Sequence, residues 1–510
     1  MSQSYLTRRD FVAFSAAVAA MLGLPGCTST SIAAGAYPRK PKPIASGAKI
    51  RIAQVGCNGK GYSDVMPHEN EDIVALCDID FEGHPRPSQA TKEASNKGNA
   101  AKKAAAKADS KQSTNEPNVK KLVKRFPNAK RYTDFRKMLL EMDDQIDAVI
   151  VSTPDHMHFL PAYMAIMLGK HVYVQKPLTQ TVGEARELLR IARMNGVVTQ
   201  MGNQGHAGEG IRLVKEWINA GLLGDVREVH VWTNRPIWPQ GFQAWPAEDP
   251  IPKGLDWDSF IGRRDMKPFS RRIHPFNWRG YQDYGCGALG DMACHLMDAS
   301  FWGLELGAPT SVELKKVVEP SSVAFPKQAI VEFQFPARGK FAPCKLTWYE
   351  GGLLPDKPKE LEGRELAKGG QILIGSKASV YDSTDYCISP RFIPESLHQE
   401  FGKSGKFPPK TIPRVFPDSP TDKGSPYKEW AAAIRAGNPT GCGSNFEYSV
   451  PFTETVALGT MAIQVGLNKK FTWDGNAMKT NLPEADKLLY PTYRKGWGLN
   501  EIIPGAAVPA

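Results

Sequence analysis

Four short apolar runs, at 49–55, 73–77, 147–152 and 171–174, are separated by helical or polar stretches. No other feature constrains the fold as much. A strand, a crossover and a second strand must run in the same direction, so the rhythm predicts parallel β-α-β units and a doubly wound sheet. The first run, Lys49-Ile50-Arg51-Ile52-Ala53-Gln54-Val55, leads straight into Gly56-Cys57-Asn58-Gly59-Lys60-Gly61. A glycine-rich turn between strand and helix lets backbone amides approach a pyrophosphate at the helix amino terminus. The usual spacing is Gly-x-Gly-x-x-Gly. Gly56 and Gly61 hold the outer positions, Asn58 takes the middle one and Gly59 follows. Asn tolerates positive φ better than most residues, so the turn can survive the exchange. Asp78 closes the second run, 22 residues beyond Gly56. An acid there can bond both ribose hydroxyls of NAD and repels the 2′-phosphate of NADP. A Lys-rich segment follows Asp78 and could supply a phosphate partner, which leaves NADP open.

Beyond about residue 180 the rhythm changes. Segments 182–195 and 211–220 read as amphipathic helices, and 226–233, 329–334, 344–349 and 371–374 as longer-spaced strands. Segments 426–436 and 453–467 are helical again. The expected architecture is α/β throughout: an amino-terminal Rossmann domain over 49–178, then an α/β domain with a mostly antiparallel open sheet over 179–510. A length of 510 residues suits two domains. Residues 83–118 read as a polar, Ala/Lys-rich insertion in the first domain. The net charge of +11 is local, because residues 92–131 hold 12 Lys/Arg against Glu93, Asp109 and Glu116. The remainder is close to neutral, which argues against a nucleic-acid enzyme.

Residues 1–27 read as an address. Thr7-Arg8-Arg9-Asp10-Phe11 precedes a mild apolar run that ends at Leu24-Pro25-Gly26-Cys27. Paired arginines before a weakly hydrophobic stretch resemble a twin-arginine export signal. The run is short for a membrane span. Leu-Pro-Gly-Cys resembles a lipobox, with Cys27 as the acylated mature terminus; simple cleavage nearby is the alternative. Export to the periplasm is expected on either route, with 28–48 as a linker. The eight cysteines show no Cys-x-x-Cys pair and no zinc spacing. Cys57 and Cys77, at the ends of core strands, suit buried free thiols.

The chemistry gathers on a second pattern. Gly290-Asp291-Met292-Ala293-Cys294-His295 places a carboxylate and an imidazole one helical turn apart on a common face. A histidine oriented by an acid is what removal of a hydroxyl proton requires. With Ser152-Thr153-Pro154-Asp155-His156-Met157-His158 and Gln175-Lys176-Pro177 added, the chain resembles the glucose-fructose oxidoreductase, inositol dehydrogenase and rhizopine-catabolism (Gfo/Idh/MocA) family from about residue 49 onward. The family hallmark Glu-Lys-Pro is Gln-Lys-Pro here, so the lysine is kept and the carboxylate is not.

The resemblance implies a sugar or cyclitol substrate and a nicotinamide cofactor, NAD or NADP, in some exported members tightly bound. It also implies an open sheet that often forms an oligomer interface, hence a homo-oligomer, dimer or tetramer. On this reading His295 is the general base, Asp291 orients it or binds a neighbouring hydroxyl, and Lys176 bonds the reacting oxygen. Gly56, Asn58, Gly59, Lys60, Gly61 and Asp78 hold the dinucleotide. Ser152, Thr153, Pro154, His158 and Pro177 line the nicotinamide side with Lys176. Asn203, Trp278 and Arg279 are the expected sugar contacts, with Gln204 beside them, and Trp232, Trp238 and Trp245 are candidates for a cleft wall. His206 and His274 read as structural, and the loop 236–272 as the seat of specificity. Two alternatives remain: a glycoside-cleaving enzyme in which NAD oxidises the sugar transiently, and a sugar-binding module without catalysis.

Overall fold

The computed structural model describes residues 39–85, 116–414 and 425–503. Residues 1–27, expected to be an export signal ending at Cys27, residues 28–38 of the linker and the body of the insertion, 86–115, lie outside the described residues.

The four apolar runs become β1 (Arg51–Val55), β2 (Asp72–Cys77), β4 (Ala148–Val151) and β5 (His171–Val174). With β3 (Lys130–Tyr132) and β6 (Thr199–Met201) they form a six-stranded sheet ordered β3-β2-β1-β4-β5-β6. Every pairing is parallel. Helices α1 (Lys60–Val65), α2 (Asn118–Arg125), α3 (Phe135–Glu141), α4 (Phe159–Met167) and α5 (Val182–Asn195) lie between and after these strands. All nine residues of α4 are buried, as expected for a helix apolar on every side. Tyr132 closes β3, and α3 starts after Asp134, whose side chain accepts from the Arg136 amide. Lys130 and Arg131 hide β3 from any apolar pattern.

Strand order reverses between β1 and β4, and a crevice opens there at the strands' carboxyl ends. Val55 lies opposite both Cys77 and Val151. Gly56, Asp78 and Ser152, the next residue on each strand, therefore emerge side by side.

The second sheet has nine strands, ordered β13-β12-β11-β7-β10-β9-β8-β14-β15. They are β7 (Val226–Trp232), β8 (Ser311–Val318), β9 (Gln328–Phe335), β10 (Cys344–Glu350), β11 (Gly370–Gly375), β12 (Ser379–Asp382), β13 (Arg391–Ile393), β14 (Phe471–Asp474) and β15 (Lys479–Thr480). Only β7 with β10 is parallel among the described pairs. In β9 every second residue, Ala329, Val331, Phe333 and Phe335, is buried, the pattern of a sheet covered on one face. The helices of this half are α6 (Glu209–Asn219), α7 (Trp257–Ile261), α8 (Gly287–Leu296), α9 (Asp298–Gly303), α10 (Glu395–Lys403), α11 (Pro426–Arg435), α12 (Phe446–Val465) and the single turns α13 (Pro483–Asp486) and α14 (Leu499–Ile502). Of these, α8 and α12 pack on the sheet.

The first sheet reaches further along the chain than expected. Strand β6 belongs to the first sheet, so that unit runs past residue 178, and α11 returns to it from far along the chain. Trp430, Ala433 and Ile434 on α11 share one buried cluster with Ile50, Leu76, Val119 and Tyr173. An apolar stripe must be buried against some partner, and sequence distance does not say which. The described end of the linker is also packed rather than free. The Arg39 amide donates to Met167 O at 3.2 Å, Lys40 Nζ to Met194 O at 2.7 Å, and Ile44 rests on the core. Cys57, Cys77, Cys286, Cys294, Cys344, Cys387 and Cys442 are buried free thiols.

Candidate active site

The turn after β1 requires its outer glycines. Gly56 has φ 82°, and a Cβ there would lie 2.6 Å from Ser152 O; a Cβ on Gly61 would lie 1.8 Å from Gly56 O. Asp78 braces the same turn. One carboxylate oxygen accepts from the amides of Cys57 (2.6 Å) and Asn58 (3.3 Å), the other from Asp80 N (2.9 Å). Burial pushes its pKa up to about 6, against the pull of those amides. Asn58 ties the turn outward: its side chain donates to Asp80 O at 3.3 Å and accepts from the Val119 amide at 3.2 Å.

A cleft of about 620 Å³ runs from this turn into the second domain. Gly56, Asn58, Gly59, Lys60, Asp78, Ser152, Thr153, Pro154, His158, Lys176, Trp278, Arg279, Asp291 and His295 all line it. Gly61 and Pro177 stand behind the lining. Pro177 O accepts from His158 at 2.7 Å, while the other ring nitrogen faces Thr153 O at 2.9 Å. Burial pulls the His158 pKa down to about 4, so the ring is neutral and serves as a brace.

At the inner end, Lys176 Nζ donates to Asp291 O at 2.8 Å and to Asp291 Oδ1 at 3.0 Å. Burial alone would lower the Lys176 pKa; the charge and hydrogen bond of Asp291 outweigh it and leave it raised. Burial would likewise raise Asp291, and Lys176 and Arg279 hold it below the usual range. The pair is therefore ionised. One turn further along α8, His295 is 4% exposed with Nδ1 unpartnered and Tyr386 edge-on at 4.8 Å. Burial, with the Lys176 charge, drives its pKa well below 6.5, so the imidazole is neutral.

The Arg279 guanidinium lies 4.2 Å from the Trp278 ring and 4.5 Å from Phe276, with Nε 3.8 Å from Asp291 Oδ1. One expectation fails here. Asn203 is fully buried and donates to Asp298 Oδ2 at 2.9 Å, so it does not reach the cleft; its neighbour Gln204 does. Trp232 is buried against Tyr381, and Trp245 packs on Tyr281 and Tyr284; of the three, Trp238 alone lines the wall. His274 lines the cleft at the Asp80 end, whereas His206 is structural, bonded to Asp298 at 2.9 Å. The 236–272 stretch contributes Ile237 and Trp238 from its start and Ser259 and Phe260 from α7.

Sequence reasoning missed Asp155, Arg235, Asp385 and Tyr386, all in the lining. Asp155 sits inside a motif already singled out. It accepts from the Cys286 amide at 3.0 Å, and burial raises its pKa to about 7 against Arg279 and Lys176. Arg235 and Asp385 pair at 3.3 Å across distant loops, and no local pattern announces them.

The lining suits a dinucleotide. Gly59 has φ 54° and no atom within 4 Å of where a Cβ would stand, and Thr153 Oγ1 is buried with no partner. Open backbone at the turn and an orphaned hydroxyl on the facing wall are what an extended polar ligand would use.

Two profiles of one oxidoreductase family match in succession: its NAD-binding Rossmann fold over residues 50–203 and its C-terminal alpha/beta domain over 208–328. An uncharacterised oxidoreductase of Schizosaccharomyces pombe is 30% identical over 191 residues, 37% of this chain and 41% of its own. The scyllo-inositol 2-dehydrogenase (NADP(+)) of Bacillus subtilis is 32% identical over 137 residues, 27% and 37% respectively. The chain thus spans less than half the length of these curated relatives. Among solved structures, the WlbA dehydrogenase of Chromobacterium violaceum in complex with NADH and UDP-GlcNAcA superposes with a TM-score of 0.52 at 16% identity, over 85% of this chain and 99% of that one. An inositol dehydrogenase homologue of Azotobacter vinelandii, complexed with NADH and myo-inositol, gives 0.52 at 18%, over 84% and 98%. At such identities the likeness establishes the fold. The paired profiles cover more than half of the sequence, and the chain belongs to the Gfo/Idh/MocA family of NAD-binding oxidoreductases.

Proposed function

We propose that this protein transfers a hydride between a nicotinamide cofactor and a hydroxyl-bearing carbon of a sugar or cyclitol. One observation carries the reading: the Lys176–Asp291 ion pair and the neutral His295 share one cleft with the glycine turn. When bound, the nicotinamide supplies the hydride acceptor or donor. The glycine turn and Asp78 would hold its dinucleotide, with Ser152, Thr153 and Pro154 on the nicotinamide side. Asp78 and Asp80 line the far end of the cleft, and the neighbouring His84 is paired with Asp80 at 2.8 Å. That charge favours NAD over a 2′-phosphate.

The neutral His295 accepts the hydroxyl proton in oxidation and returns it in reduction. Lys176 stabilises negative charge on the reacting oxygen, and its field keeps His295 from retaining the proton. Asp291 holds Lys176 in place. Trp238, Trp278 and Arg279 offer an apolar face and a cation to a polyol ring. Relatives named for inositol support this substrate class. We place the enzyme in the periplasm, exported by the twin-arginine route through residues 1–27, with its cofactor loaded before export and a dimer or tetramer as its working state. Cleavage close to Cys27, or acylation of it, would free or anchor the mature chain.

A second reading, oxidation followed by glycoside elimination, is favoured by Asp155, an additional acid in the same wall able to exchange a proton near neutral pH. Incubation with NAD⁺ and panels of polyols and glycosides separates the two. Net NADH, or a reduced second substrate, supports the dehydrogenase. A freed aglycone without net NADH supports elimination, and neither product from any panel member would defeat both.

A further inference from the structure

Behind the cleft wall a single carboxylate gathers four side-chain donors. Asp64, on α1 and wholly buried, accepts from Lys60 Nζ at 2.5 Å, Ser152 Oγ at 2.7 Å and Tyr427 OH at 2.9 Å. The Gln175 amide nitrogen reaches both of its oxygens, at 3.0 and 2.9 Å. Lys60, Ser152 and Gln175 line the cleft; Asp64 stands behind them. The network thus joins the glycine turn, the loop after β4 and the residue preceding Lys176 to α11, which supplies Tyr427.

The direction of the Gln175 amide follows from this arrangement. Its NH₂ must face Asp64, so Oε1 turns away, 3.4 Å from the Lys176 backbone amide. A carboxylate at 175 would have no proton to offer Asp64. Two buried like charges in contact, with Lys60 as the one bonded cation, disfavour each other strongly. The glutamate that the family resemblance expects before Lys176 would therefore face Asp64 either as a second buried charge or as an acid forced to keep its proton.

We propose that Asp64 is a positioning residue for the cofactor wall, and that Asp64 and Gln175 form a matched pair with room for one negative charge. The pair sets the Ser152 hydroxyl, the Lys60 ammonium and the entry to Lys176, each of which faces the cleft or leads to a residue that does. The inference rests on the cleft holding a nicotinamide dinucleotide.

The test is NADH binding to the full chain, read by energy transfer from tryptophan to bound NADH, with Tm recorded for each variant. Gln175→Glu should weaken binding by about tenfold, a typical coupling for neighbouring groups. Asp64→Asn alone should also weaken it, by removing the partner of Lys60. The double variant, Asp64→Asn with Gln175→Glu, returns the wall to one carboxylate and should bind within about threefold of the parent. Parent protein that fails to bind NADH or NAD⁺ would defeat the cofactor reading itself. With the parent binding normally, the pair proposal is overturned if Gln175→Glu binds as the parent does, or if the double variant is no better than the single one. A change in Tm without a change in NADH affinity overturns it too, since a merely structural pair behaves that way. Should Gln175→Glu fail to fold, a folded and binding double variant supports the pairing, and an unfolded one refutes it.

Discussion

His295 is buried on the helix that carries Asp291, and burial keeps its imidazole unprotonated, as the proposed base must be. Replacing it with Ala should lower kcat by about 10²- to 10⁴-fold and leave NADH affinity nearly unchanged, as steady-state rates and a binding titration would show. The same burial removes the usual histidine inflection near pH 6.5. Asp155, raised to about 7, is the group that titrates near neutrality, protonated below that pH and charged above it. An inflection of kcat/KM near pH 7 should vanish in Asp155→Asn; one that persists there would contradict a neutral His295. That Asp291 and His295 share a face was legible because their spacing is local, whereas Lys176, 115 residues earlier, showed only through its three-residue motif. Asn203 misled because the buried carboxylate that captures it, Asp298, lies far along the chain and shows no pattern.

The helix bearing Asp291 and His295 is held by a residue that no motif marks. Glu350, at the end of β10, is fully buried, accepts from Trp348 Nε1 at 3.0 Å and is lowered in pKa by the Leu289 amide in the first turn of α8. Burial nevertheless raises it from 4.5 to about 7. A carboxyl that binds its proton more tightly when folded stabilises fully below its unfolded pKa and loses that contribution as pH rises through the folded value. Between pH 5 and 8 the loss is on the order of 3 kcal/mol. Urea unfolding of Glu350→Gln should show a smaller fall in stability over that range than the parent; an equal fall would count against the assignment. Elements with chemistry at both ends were legible to the residue, as in α5, where Thr181 and Glu184 form a capping box and Gly196 ends the helix at φ 68°. The short strands β3, β13 and β15 were not, since two or three residues carry no period.

At the scale of the molecule, the parallel rhythm foretold the first sheet, and the glycine turn foretold where its crevice would lie. What it could not show is that the chain comes back. Trp430 on α11 is fully buried, edge-on to His68 at 5.4 Å and to Tyr173 at 5.9 Å, within the core of the first sheet. Trp430→Ala should cost about 3–5 kcal/mol in urea unfolding and should weaken NADH binding as well, because the same helix supplies Tyr427 to Asp64. A loss confined to stability would separate α11 from the cofactor wall.

On the proposed reading, one cleft holds a nicotinamide dinucleotide against Lys176, Asp291 and His295. The most direct test is to purify residues 28–510, denature the protein and identify any nucleotide released, then titrate the refolded or stripped chain with NADH. Stoichiometric NAD(H), resident or restored by the titration, is the expected result. A chain that releases no nucleotide and binds neither NAD(H) nor NADP(H) would contradict it.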